Sequence, residues 1–190
     1  MSMPIIKSTE GEKDALLQAA KLMLISARTA PKSAGIDDIL TAVVYGKEKD
    51  TIVAEMEKIA EERENASAGF KRDAQNLRDS EAVLLIGVSG TKNFGLNCGG
   101  CGYSTCNEFE KAQKKLGQDF EGPNCIFKLL DLGIALGSAV KTADILNIDN
   151  RIMYRIGTAA KRLNMLQEAS IIMGIPISAK GKSIYFDRFK

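Results

Sequence analysis

Residues 82–88, AVLLIGV, form an unbroken apolar run in which branched side chains predominate. A strand with one face in water alternates apolar and polar residues, whereas a strand covered on both faces does not. This stretch is therefore expected to be a core strand, and helices must cover it. Upstream, residues 10–28 place Leu16, Ala20, Met23 and Ala27 at helical spacing, and Pro31 and Gly35 end that helix. Residues 47–65 carry Ile52, Met56 and Ile59 on one side of a second helix, and residues 69–78 suggest a third. Between them, ILTAVVY at 39–45 reads as a short buried strand, with a helical turn as the alternative. Downstream, residues 107–116 read as a helix capped by Ser104 or Thr105, and residues 125–146 as a long apolar helix. A further helix over 151–163 would have Asp149 as its N-cap, and ASIIMGI at 169–175 reads as a strand stopped by Pro176. Helices outnumber strands, so the expected class is α+β, a small mixed sheet surrounded by helices.

With 190 residues the chain is expected to fold as a single domain, 1–190, with a cysteine-rich segment at 95–127 inserted between the core strand and the long helix. Its 26 basic and 24 acidic residues leave a net charge of +2, which gives no electrostatic reason to expect a nucleic-acid partner. The opening MSMPIIKSTEGEKD has no apolar stretch of signal-peptide length, and no apolar run approaches the ~20 residues of a membrane span. The expected location is the cytoplasm, without membrane contact.

In that compartment thiols stay reduced, so a cysteine cluster points to metal binding or catalysis rather than to a disulfide framework. The spacing is C-x2-C-x4-C-x18-C, formed by Cys98, Cys101, Cys106 and Cys125. Cys98 and Cys101 can present two sulfurs across a tight loop, in which Gly99, Gly100 and Gly102 tolerate positive φ and let N–H groups face an anionic centre. Three close cysteines with a distant fourth suit an iron–sulfur cluster. Structural zinc, the competing occupant, more often pairs two short knuckles. Free or redox-active thiols are the third reading.

The chain has no histidine, which excludes a Ser-His-Asp hydrolase, a histidine general base and a histidine-ligated zinc. Electron transfer needs none of these groups, because the cofactor carries the chemistry. One further segment asks for an explanation: in DLGIALGSAV, Gly133 and Gly137 each cost a helix about 1 kcal/mol relative to alanine. With Ala135, Ser138 and Ala139 they would form a face nearly free of side chains, expected to pack tightly in the core or against a flat cofactor.

CGGCGYSTCNEFEKA, residues 98–112, resembles the four-cysteine iron–sulfur motif of corrinoid iron–sulfur proteins and membrane electron-transfer complexes, with Gly102, Cys106 and Phe109 on pattern. That resemblance implies a [4Fe–4S] site. Over residues 15–190, ARTAPKSAG, RDSEAVLLIGV, DLGIALGSAV and GIPIS follow one another as in nitroreductase-like flavoproteins. APKSAG, LNCGGCG, DLGIALGSAV, DNRIMY and FDR together resemble a family of uncharacterised prokaryotic ferredoxin-domain proteins. The resemblance implies a nitroreductase-like fold and FMN at a homodimer interface, its phosphate held by basic side chains. Arg28, Lys32, Lys180, Lys182 and Arg188 are the candidates for that role. The expected function is iron–sulfur electron transfer with a redox partner protein or a small-molecule acceptor. The alternatives are a zinc-stabilised, non-enzymatic interaction domain and an FMN-dependent oxidoreductase acting on a small molecule.

Overall fold

The computed structural model describes residues 5–186. Helix α1 (Ser8–Thr29) leads through a 3-10 turn at Ser33–Gly35 to strand β1 (Ile39–Tyr45), then to helices α2 (Gly46–Glu62) and α3 (Ser67–Arg78). Strand β2 (Ala82–Val88) is followed by the cysteine loop, the short helix α4 (Cys106–Lys111) and the two-residue strands β3 (Lys115–Leu116) and β4 (Glu121–Gly122). Helix α5 (Ile126–Ile145), strand β5 (Asp149–Asn150), helix α6 (Tyr154–Arg162) and strand β6 (Ile171–Ser178) complete the order.

Every residue of β2 is buried, as its uninterrupted apolar run requires. It lies between β1 and β6 in a four-stranded sheet of order β1-β2-β6-β5. Alternation sends Leu84, Ile86 and Val88 to the face covered by α1 and α5, and Val83 and Leu85 to the face covered by α2, α3 and α6. Each such Leu or Ile contributes about 1.5–3 kcal/mol on burial, so two apolar layers hold one sheet. The α+β class is thus observed. Among the described residues, however, every pairing is antiparallel, where a mixed sheet was expected.

Several local expectations are corrected. β1 is half-buried rather than buried, because it is paired on one side only. Pro176 does not stop β6, which runs on to Ser178. Gly174 exchanges backbone hydrogen bonds with Met153, so alternation turns the Pro176 nitrogen to the same side, between Met153 and the Asn150–Ile177 pair. Asp149 sits in β5 opposite Ser178 instead of capping a helix, and α6 starts only at Tyr154. The helix expected to reach Leu116 ends at Lys111, and Lys115 and Leu116 pair with Gly122 and Glu121 in a small hairpin. The small residues of α5 divide: Ala135 and Ala139 are buried against the sheet, while Gly133 and Gly137 face outward with open space where a Cβ would be.

Two anchors fix the end of the sheet away from the cysteines. The buried Lys49 donates to the carbonyls of Leu77, Arg78 and Ser80, satisfying the end of α3, and burial lowers its pKa. Tyr185 is buried with its hydroxyl 2.8 Å from Ser80 Oγ, and burial pushes that hydroxyl's pKa well up. On the opposite face of the sheet from α5, α6 lies so close to β6 that a Cβ on Gly157 would stand 1.7 Å from the Ile172 carbonyl oxygen. Gly157→Ala should therefore force the helix off the sheet and cost about 3 kcal/mol. The expected drop in thermal midpoint is roughly 6–12 °C by calorimetry or circular dichroism.

Candidate functional site

The site grows from the end of β2. Ser89 donates its N–H to the Asp38 carbonyl at 3.0 Å, the last rung beside β1. Gly90 then turns the chain away, and its carbonyl accepts the Cys125 N–H at 2.8 Å. The whole of residues 91–124 is thereby closed at its base into one loop. Three cysteines lie on the loop and the fourth at its return. Cys98 is exposed, Cys101 and Cys106 are half-buried, and Cys125 is 6% exposed.

Local chemistry shapes the knuckle. Gly99 and Gly102 have φ of 73° and 87°, in the region that favours glycine, and the Gly102 N–H donates to the Gly99 carbonyl at 3.0 Å. A Cβ on Gly100 would lie 2.7 Å from Ile126 Cγ2, so only glycine lets the knuckle settle on the first residue of α5. Asn97, at φ 49°, clips the loop reciprocally: its N–H donates to Cys106 Sγ at 3.3 Å, and its Oδ1 accepts the Cys106 N–H at 2.8 Å. Thr105 is the N-cap of α4, with its Oγ1 accepting the Glu108 N–H at 3.2 Å. Phe109, fully buried under Tyr103 and the Lys114 ammonium, gives the insertion its own small core. Arg63 ties the returning hairpin to α2 through Asp119 at 2.6 Å.

Cys98, Cys101, Cys106 and Cys125 all line one pocket, with Asn97, Tyr103 and Ile126 among the other walls. Among the described residues no three acidic, cysteine or histidine side chains close on one point as the ligands of a single metal ion would. Cys125 is also the N-cap of α5, a helix of 20 residues, so the unpaired N–H groups of the first turn and the positive end of the dipole lie beside its sulfur. Thiolates and an anionic cluster fit that environment.

Behind Cys125 is a polar brace that motif spacing does not reveal. Ser170 Oγ accepts the Gly90 N–H at 2.9 Å and lies 2.6 Å from Asn124 Oδ1. Asn124 Nδ2 donates to the Glu121 carbonyl at 2.6 Å. Ser170 stands far from all four cysteines in the sequence. The one available signal was an asparagine directly before each of Cys98 and Cys125.

Among the described residues, the cations expected to hold a flavin phosphate fall at two ends of the sheet. Arg28 donates to Asp37 at 2.5 Å and to the Ile39 carbonyl at 2.7 Å. Lys32 donates to the carbonyls of Arg28 and Ala30. Both lie at the Val88 end of the sheet, because Ile39 pairs with Val88. Lys180 lies at the other end, beyond the Ala82–Ile177 pair, 3.1 Å from Glu81. The seven residues of β2 separate the two ends by about 20 Å. Lys182 is in the same segment as Lys180, and Arg188 lies outside the described residues.

Residues 121–188 match the family described as uncharacterised proteins containing a ferredoxin domain. A protein of Archaeoglobus fulgidus, itself described as uncharacterised, is 54% identical over 170 residues, 90% of each chain. The chain belongs to this family. The matched segment of the ferredoxin-domain family holds Cys125 but not Cys98, Cys101 or Cys106. Among solved structures, a nitroreductase with bound FMN from Desulfitobacterium hafniense aligns with a TM-score of 0.58 at 17% identity, over 95% of this chain and 81% of that one. An FMN-dependent nitroreductase from Clostridium difficile aligns at 0.52 with 15% identity, over 87% and 76%. At these identities the likeness is one of fold, and the fold is nitroreductase-like.

The graded burial of the four thiols has a direct consequence in the metal-free, reduced protein. An alkylating reagent should modify Cys98 first and Cys125 last, as read by mass spectrometry of timed digests. Ser170→Ala, which removes the brace, should speed Cys125 modification selectively. Equal rates at all four cysteines would contradict the pocket geometry.

Proposed function

We propose that this ferredoxin-domain chain is an electron-transfer protein in which Cys98, Cys101, Cys106 and Cys125 hold an iron–sulfur cluster of the [4Fe–4S] type. The supporting observation is that these four sulfurs line a single pocket, with the buried one at a helix N-terminus. Such a cluster would supply reversible one-electron chemistry. The chain's own residues do the rest. Cys125 is held rigidly against the sheet, Asn97 directs an N–H at the Cys106 sulfur, and the exposed Cys98 gives the partner the shortest approach. One electron arrives from a reduced partner protein and leaves to an oxidised protein or small-molecule acceptor.

Zinc held by the same four thiolates is the alternative occupant, and the spacing of three close cysteines with a distant fourth favours a cluster over it. The nitroreductase-like fold favours a second redox group, FMN, shared by two copies of the chain across α5, whose outward face carries Leu130, Gly133, Ile134 and Gly137. Bound flavin would give a yellow protein that bleaches on reduction, and a shared site would give a dimer by light scattering. Among the described residues no helix is long and apolar enough to cross a membrane.

Anaerobic purification followed by iron, sulfide and zinc analysis tests the central claim. Iron and sulfide in near-equal, stoichiometric amounts are expected, together with broad absorbance that bleaches on one-electron reduction. Stoichiometric zinc without sulfide would sink it. Cys101→Ser should lose most of the metal and lower the thermal midpoint, because metal binding and loop folding are coupled.

A further inference from the structure

Three charged side chains stand behind the cysteine pocket and hold none of its sulfurs. Lys128 lies one turn beyond Cys125 on α5 and is 1% exposed, inside an otherwise apolar run. Its ammonium donates to Asp38 Oδ2 and sits 3.6 Å from the centre of the Phe94 ring. Phe94 belongs to the loop that leads into Cys98, and its ring meets Phe127 edge-on at 6.4 Å. Asp38, 9% exposed at its side chain, also accepts from Lys92 at 2.9 Å. Burial works to raise the Asp38 pKa, but the hydrogen bonds from Lys128 and Lys92 outweigh it and hold the carboxyl below its usual value. Two lysines on one carboxylate leave the trio with net positive charge.

Stability alone gives no reason for this arrangement. Removing a lysine from water costs several kcal/mol, a cost that apolar residues of similar volume in place of the whole Lys128–Asp38 pair would avoid. What the ammonium does provide is a fixed, poorly screened cation one helical turn from Cys125. A cubane cluster held by four thiolates is negatively charged, and reduction adds a further negative charge, so a nearby buried cation stabilises the reduced form more than the oxidised one.

We propose that Lys128, counterpoised by Asp38 and supported by Lys92, sets the reduction potential of the cluster and latches the Cys98–Cys106 loop to α5 through Phe94. The inference rests on the cluster reading above. It makes Lys128 and Lys92 raise the potential and Asp38 lower it, an opposition in sign that a purely structural role would not produce.

The test is anaerobic redox titration of reconstituted protein, followed by electron paramagnetic resonance. Lys128→Met should move the midpoint to more negative potential, Asp38→Asn to more positive potential, and Lys92→Met weakly negative, since its side chain is 58% exposed and screened. Lys128→Arg, which keeps the charge, should stay near wild type. Shifts of one sign in all variants, or no shift with the cluster retained, would overturn the proposal. If Lys128→Met does not retain a cluster, Asp38→Asn and Lys92→Met carry the same sign test, and the absence of opposed shifts there overturns it equally. Wild-type protein that takes up no iron and sulfide fails at the earlier step, and defeats the cluster reading and this inference together.

Discussion

The hydrogen bond from the Cys125 N–H to the Gly90 carbonyl, 2.8 Å long, decides what the rest of the chain can do. It joins the end of the most deeply buried strand to the first turn of the longest apolar helix. Everything between them, residues 91–124, becomes an excursion whose two ends are fixed. Loop closure of that length costs conformational entropy that grows only slowly with added residues, so a rigid base makes a large insertion tolerable. Ser170 strengthens the base from the third side, through Gly90 and Asn124, and ties in β6. Cys125 is consequently held at a fixed point of the base, in the pocket that the other three cysteines also line.

Those three come by a different kind of order. The knuckle contributes almost no apolar burial: residues 95–100 are all exposed. Its shape rests on backbone geometry, on the Asn97–Cys106 clip and on the contact of Gly100 with Ile126. Only Phe109, with Tyr103 and Lys114 around it, supplies a local core. Without metal–sulfur bonds such a segment stands at the low-stability end of the molecule, while the two helical layers on the sheet hold the remainder. The site therefore divides into a half that the fold determines and a half that bound metal would determine, which is the usual situation for metal-coupled folding.

This division also explains which features were legible in the sequence. Residues 82–88 could be read as a core strand because full burial on both faces leaves an unbroken apolar run, and α2 and α5 because their periodicity is long. The four cysteines stood out because the chain has no others. Pro176 misled, since a proline signals a strand end only where its missing N–H faces a neighbour, and here it faces a gap between β5 and Met153. Asp149 misled because a two-residue strand leaves no periodic trace. α4 was read too long because the charged residues after Lys111 continue a helical pattern while the chain turns to pair as a hairpin. Asn124 is signalled only by its place directly before Cys125, and Ser170, Lys128 and Asp38 not at all as site residues: each acts on a partner at least 30 positions distant, and neither spacing nor composition encodes that.

The placement of charge gives the fold likeness its limits. A nitroreductase-like sheet brings Arg28 and Lys32 to the same end as the cysteines, but each is already bonded, to Asp37 and to carbonyl oxygens, and Lys180 is a strand's length away. An anion entering at Arg28 would have to displace Asp37 or draw donors from a second copy of the chain. At the cysteine pocket the N-terminus of α5 and the Asn97 N–H face the sulfurs, and the Lys128 ammonium, paired with Asp38, stands one turn along the same helix. Among the described residues, the donors left for an anion therefore lie around the sulfurs before any other region.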